Sequence, residues 1–113
     1  MPFDFGDGVL APFPFTSQTA FKQRPAVVVS TRAYNASRPD VVIMPITSQF
    51  DFRSGQIFGE VCIIEWQRAK LLKPSAIKPI FATLEQRLII KKPGALQLPD
   101  LSALHFAIAA ILG

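Results

Sequence analysis

A chain of 113 residues is expected to form one domain, residues 1–113, with room for a real core but not for a second one. Half of its residues are hydrophobic and only 18% are charged, which excludes disorder, and no stretch is apolar for the ~20 residues a membrane span needs, so no membrane partner is expected. The net charge of +4 and a pI near 9.6 favour a polyanionic partner.

The chain opens Met1-Pro2-Phe3-Asp4-Phe5, without the basic region and apolar run of a signal peptide. Ten prolines then break it into short pieces. Between them lie the runs Gly8–Ala11, Ala26–Val29, Val41–Met44, Val61–Ile64 and Ala76–Thr83, rich in Val, Ile and Phe and of strand length. Turn formers separate them, as in Asn35-Ala36-Ser37-Arg38-Pro39-Asp40 and Ser54-Gly55, so the pattern predicts a small barrel or sandwich. Pro45 is read where a strand hands over to a loop, and Pro79 requires an edge or a bulge because it donates no hydrogen bond.

Two segments carry residues of chemical interest. In Lys22-Gln23-Arg24-Pro25-Ala26-Val27-Val28-Val29-Ser30, Arg24 opens a strand. In Pro45-Ile46-Thr47-Ser48-Gln49, Thr47 closes the next. If the two pair antiparallel, a fixed cation and a hydroxyl face one patch of surface, a place to hold a phosphate. Ser48 and Gln49 read as turn formers that also come within reach of RNA. Thr16 belongs to a polar loop leading to Lys22, a candidate phosphate contact. The segment Phe50-Asp51-Phe52-Arg53-Ser54-Gly55-Gln56 interleaves Phe50 and Phe52 with Arg53. Single-stranded bases stack on such surfaces, although a Phe can also anchor a loop. This segment is expected to be mobile without a partner.

Cys62, the only cysteine, reads as core filling. A lone Cys makes no internal disulfide, which suits a reducing, cytoplasmic setting. Trp66 follows a buried strand and reads as core, and Lys91-Lys92 as a solvated pair. After Pro99, Asp100 reads as the N-cap of a terminal helix whose Leu101, Leu104, Ile108 and Ile111 form a core-facing stripe. Phe106, Ala109 and Ala110 lie off that stripe, so a second face of the helix is expected to meet another subunit, and the single histidine, His105, reads as a partly buried or interface residue rather than a catalyst.

The ordered segments resemble the MazF/PemK family of toxins from toxin–antitoxin pairs. Pro12-Phe13-Pro14-Phe15-Thr16 is similar to the family's exit from its first strand, Lys22–Ser30 to its basic-Arg-Pro-apolar-Ser strand, and Ile46-Thr47-Ser48-Gln49 to its Thr-Ser-Gln turn. Leu71-Leu72-Lys73-Pro74-Ser75, Thr83-Leu84 and Gly94-Ala95-Leu96 also fit, so the likeness covers residues 6 to 112. Three positions depart from the pattern: Gly8 for a β-branched residue, Lys70 for a Gly and Pro93 for a Leu.

The resemblance implies a mainly β fold with short helices, an SH3-like small barrel with a C-terminal helix. It implies a homodimer with a cognate antitoxin and a single-stranded messenger RNA substrate. The expected activity is metal-independent endoribonucleolytic cleavage by 2′-OH transesterification, with Arg24 and Thr47 as the catalytic pair. The residues suit that chemistry. One histidine cannot form a pair, the carboxylates are scattered without metal-ligand spacing, and no cofactor-binding glycine loop is present. Arg-centred electrostatic stabilisation remains. Two alternatives on the same barrel are a non-catalytic toxin resembling the gyrase poison CcdB and a plain nucleic-acid-binding module. The first acts through a C-terminal tip with a Trp, whereas this chain ends Ala110-Ile111-Leu112-Gly113.

Overall fold

The computed structural model describes residues 3–12, 23–49 and 57–113. Their order is β1 (Asp7–Pro12), β2 (Gln23–Val28), α1 (Arg32–Ser37), β3 (Asp40–Thr47), β4 (Val61–Cys62), β5 (Ala76–Ile77), β6 (Ala82–Glu85), a 3₁₀ turn (Gln86–Leu88), β7 (Lys91–Ala95) and α2 (Leu98–Leu112). The strands run β4-β5-β3-β2-β1-β7, all antiparallel, with β6 also on β3. The predicted mainly β fold with a C-terminal helix is therefore present. Its barrel-like curl is not closed by a ladder between the outermost strands among the described residues.

The curl comes from β3. One edge of this strand pairs with β2 through Ala26↔Pro45, Val27↔Met44 and Val28↔Ile43. The other edge serves two partners in turn: β6 over Asp40–Ile43, then β5 at Ile46 and Thr47. Pro45 is thus inside the strand and not at its exit. It is tolerated because the edge facing β5 and β6 changes partner there, and its carbonyl still accepts a bond from the Lys78 amide at 2.9 Å. Pro79 divides the run expected as one strand over Ala76–Thr83 into β5 and β6. Gly8 sits opposite Gly94 where the β1–β7 register shifts, and a Cβ there would lie 3.3 Å from the Gly94 carbonyl oxygen. Its missing side chain permits close approach of the two backbones as well as weakening the strand.

Two apolar clusters fill the curl. Val27, Met44, Ile46, Val61, Ile77, Leu96, Leu104 and Ala107 make the larger, with Trp66 packed against it. Val9, Ala26, Val28, Val41 and Ile43 make the smaller on the opposite face of β1–β3. Alternation along β2 and β3 therefore feeds both faces, as strands buried on two sides require. On α2, Leu104 is fully buried and Leu101 and Ile108 pack on the core, whereas Phe106 is 78% exposed. His105 stacks on Phe5 with ring centroids 4.1 Å apart.

Asp100 does a different job from the one expected. Helix α2 begins earlier, after Gln97, with Pro99 in its first turn. The Asp100 carboxylate, fully buried, accepts bonds from the Ile64 amide at 2.8 Å and the Glu65 amide at 2.9 Å. It caps the helical turn Ile64–Lys70 that follows β4, satisfying amides that have no partner within that turn. The Ile63 amide still bonds the Ser75 carbonyl in the register of the β4–β5 ladder, and the pairing ends where the next two amides turn to Asp100. Burial, with a further push from Glu60, raises the pKa of the half-buried Cys62 thiol.

Candidate functional site

The β2–β3 register has the sequence-predicted pair at one end. Continued two residues from Ala26↔Pro45, it sets Arg24 opposite Thr47. Cross-strand neighbours on one face lie about 4.5–5.5 Å apart at Cβ. Each residue is also flanked on its far side, Arg24 by Ala11 of β1 and Thr47 by Ala76 of β5, so both stand in the middle of the sheet and not at its rim.

Arg24 and Thr47 line a single cleft of about 470 Å³, with Ser48 and Gln49 beside them. Leu10 and Pro25 form the rest of the floor. The segment after the Ile64–Lys70 turn makes one wall with Lys70, Leu71, Leu72, Lys73 and Ser75, and β7 makes the other with Lys91 and Pro93. Among the described residues four cations line the cleft, Arg24, Lys70, Lys73 and Lys91, and no carboxylate does.

Outside the cleft, five of the six cations among the described residues are paired, and Lys78 is not. Arg32 pairs with Asp4, Arg38 with Asp40, Arg68 with Glu65, Arg87 with Glu85 and Lys92 with Asp7. The Arg32 guanidinium holds the Asp4 carboxyl below the usual carboxylate range, and Arg38 does the same to Asp40. The four cleft cations make no ion pair among the described residues. Among the described residues, four of the five cations without an ion pair therefore gather at one cleft. Such a cluster focuses positive potential there.

The Thr47 hydroxyl accepts a bond from the Gln49 amide at 3.0 Å, so it holds the Ser48–Gln49 turn. Its own proton has only a long contact, 3.5 Å, to the Gln49 carbonyl. The oxygen is therefore fixed in place while the proton is free to turn toward an acceptor in the cleft. Ser48 and Gln49 are exposed beside it.

The expected contacts Thr16, Lys22, Phe50, Phe52 and Arg53 lie outside the described residues. Sequence reasoning passed over three of the four cleft cations as binders. Lys73 carried a signal, since it belongs to a quoted motif, and Lys70 stood out as a departure from glycine. Lys91 carried none: only the register Leu10↔Lys91 brings it to the cleft. His105 and Trp66 do not line it. Among the described residues no group of three His, Cys, Asp or Glu side chains is placed to hold a metal ion, and no helix is long and apolar enough to cross a membrane.

The sequence matches, over residues 4–112, a family model described as the PemK-like, MazF-like toxin of type II toxin–antitoxin systems. No curated protein matches it. The fold is similar to that of MazF in a MazE–MazF complex from Deinococcus radiodurans, with a TM-score of 0.76, 22% identity, and 100% of this chain and 98% of that one covered. It is equally similar to an endoribonuclease in complex with its cognate antitoxin from a mycobacterial species: TM-score 0.76, 18% identity, 98% and 95% covered. The Mycobacterium tuberculosis toxin MazF-mt6 follows at a TM-score of 0.74 and 19% identity, with 92% and 93% covered. Identities this low speak for the fold.

Proposed function

The chain belongs to the PemK-like, MazF-like toxins of type II toxin–antitoxin systems, and we propose that it is a metal-independent endoribonuclease that cuts single-stranded messenger RNA at preferred sequences. The observation that carries this reading is the juxtaposition of Arg24 and Thr47 in a cleft that, among the described residues, has four cations without an ion pair and no carboxylate.

The substrate supplies its own nucleophile. The 2′-oxygen of one nucleotide attacks the adjacent phosphorus and the bond from phosphorus to the 5′-oxygen breaks. The products are a 2′,3′-cyclic phosphate and a 5′-hydroxyl, with one proton lost from the 2′-hydroxyl and one gained by the leaving oxygen. Negative charge builds on the non-bridging oxygens as the fifth bond forms. The planar fork of Arg24 matches two of those oxygens and stays protonated throughout. Thr47 donates its free proton to the same group. Preorganised donors of this kind stabilise a developing oxyanion more than the ground state. Lys73 and Lys91 hold neighbouring phosphates, and Ser48 and Gln49 face the strand beside the scissile bond.

The chain works as a homodimer and is restrained by a cognate antitoxin. Support for the dimer comes from α2, where Phe106 and Leu112 are 78% and 67% exposed. The antitoxin is supported by the similar toxins whose solved structures include one.

Incubation of the pure protein with RNA in EDTA, followed by analysis of the cut ends, tests the reading. Cyclic-phosphate and 5′-hydroxyl ends in EDTA are expected. A 5′-phosphate or strict magnesium dependence overturns the mechanism, and binding without cleavage reduces the protein to a nucleic-acid-binding module. Sedimentation at micromolar concentration is expected to give a dimer.

A further inference from the structure

We propose that Lys70 is an RNA-binding residue of this cleft, its ammonium contacting a backbone phosphate beside the one held by Arg24; the inference rests on the reading of the cleft as an RNA site. Lys70 has φ 68°, and among the described residues it is the one non-glycine in the left-handed region. The reason lies in the turn it ends. The Leu71 amide bonds the Trp66 carbonyl and the Lys70 amide bonds the Gln67 carbonyl, both at 3.0 Å. Those two bonds make the Schellman closure of a helical turn, whose left-handed position glycine fills most readily. A lysine there crowds its own Cβ against the backbone and gives up stability that a glycine would keep. Nothing in the fold recovers that loss, since Lys70 is exposed and makes no ion pair among the described residues.

The side chain is nevertheless positioned. Gly94 of β7 lies directly beneath it: a Cβ built on Gly94 would fall 2.8 Å from the Lys70 Cγ and 2.5 Å from the Ala69 carbonyl oxygen. The aliphatic stem thus rests on bare backbone, in the space a larger residue at position 94 would fill. A stem held in that way loses fewer conformations on binding than a free surface lysine does. The residue lines the cleft that also holds Arg24, Thr47, Lys73 and Lys91. A strained backbone, a supported stem and a charge without an ion pair among the described residues converge on the site, which is where such strain collects when it serves function. The group recognised is a phosphate because a compact ammonium reads charge rather than base identity.

The test separates this claim from the reading beneath it. Binding is measured against salt with a single-stranded 2′-O-methyl RNA, which lacks the free 2′-hydroxyl and so cannot be cut, for the wild type, Lys70→Gly and Lys70→Gln. Each phosphate contact on a single strand contributes about 0.7 to the slope of log K against log salt. Both variants are expected to lose about that much slope and to bind roughly 3- to 10-fold more weakly at low salt, uniformly across base sequences. Lys70→Gly should also melt higher, by about 2–6 °C, while Lys70→Gln, which keeps the strained conformation, should not. Opposite movement of stability and binding in one variant is a result that a purely structural lysine does not give. A wild type that fails to bind the RNA overturns the reading of the cleft and this inference with it. A wild type that binds, with an unchanged slope in both variants, overturns this inference alone. A loss confined to one base sequence overturns the phosphate assignment.

Discussion

The two ends of the β2–β3 ladder use similar residues for opposite purposes. At the end near α1, the Ser30 hydroxyl donates to Asn35 Oδ1 and accepts from the Val42 amide. Asn35 Nδ2 donates to the carbonyls of Phe3 and Ser30, and Gln86 Nε2 to those of Asn35, Arg38 and Asp40. Ser30 and Asn35 are buried, and among the described residues no buried side-chain nitrogen or oxygen lacks a partner. At the other end, Arg24 is exposed without an ion pair among those residues, and Thr47 keeps a proton in hand. A polar group with all its partners inside the fold contributes stability. One whose bonding capacity is left open toward a cleft contributes binding. The quoted Arg-Pro-apolar-Ser strand thus carries a cleft-lining residue at its start and a structural one at its finish.

Substitutions at the two ends should separate accordingly. The largest effect is expected from Arg24→Ala, a loss of roughly 10²–10³ in single-turnover cleavage, or about 3–4 kcal/mol. Its melting temperature should be unchanged, because an exposed residue leaves no cavity. Arg24→Lys should recover only part of the rate, since a point charge cannot engage two oxygens in a fixed fork. A folded Arg24→Ala protein that cuts at the native rate would remove this end of the ladder from the chemistry.

Asp100→Ala comes next and reads out in stability. It strips two buried amides of their acceptor, so unfolding in urea should show a loss of about 2–4 kcal/mol. Asn35→Ala should behave alike at the opposite end of the ladder, losing about 1–3 kcal/mol as the Ser30 hydroxyl loses its acceptor. For both, the cleavage rate per folded molecule should stay near wild type. A rate that drops ahead of stability in Asn35→Ala would blur the division between the two ends.

Thr47→Ala is the smallest and sharpest case. A neutral donor is worth less than a charged one, so a fall of roughly tenfold, about 1.4 kcal/mol, is expected. Because the hydroxyl also holds the turn, Thr47→Ser is the decisive control: it keeps both bonds and should restore most of the rate. Failure of Thr47→Ser to do so would mean that the methyl group, and not the donor, matters.

Much of this could be read from the residues. The placing of Arg24 and Thr47 at neighbouring strand ends was legible because Arg24 opens one apolar β-branched run and Thr47 closes the next, and strands that pair antiparallel bring the start of one to the end of the next. The stripe on α2 was legible because helical spacing repeats every turn. Helix α1 is not expected from the residues because its second half, 35–37, falls in the run of turn formers Asn35–Asp40, and Thr31, whose hydroxyl accepts from the Tyr34 amide, marks its start. Asp100 was recognised as a cap but assigned to the wrong element, since the amides it serves lie 35 and 36 residues away.

The sequence by itself determined the local matters: which runs are strands, where prolines interrupt them, and which residue types face which way. Register, partner exchange along β3 and the gathering of Lys70, Lys73 and Lys91 around Arg24 were decided by the tertiary structure alone. The physical reason is range. Propensity and periodicity act over a turn or a strand, whereas a charge left uncompensated is known only once every acid has found its place in space.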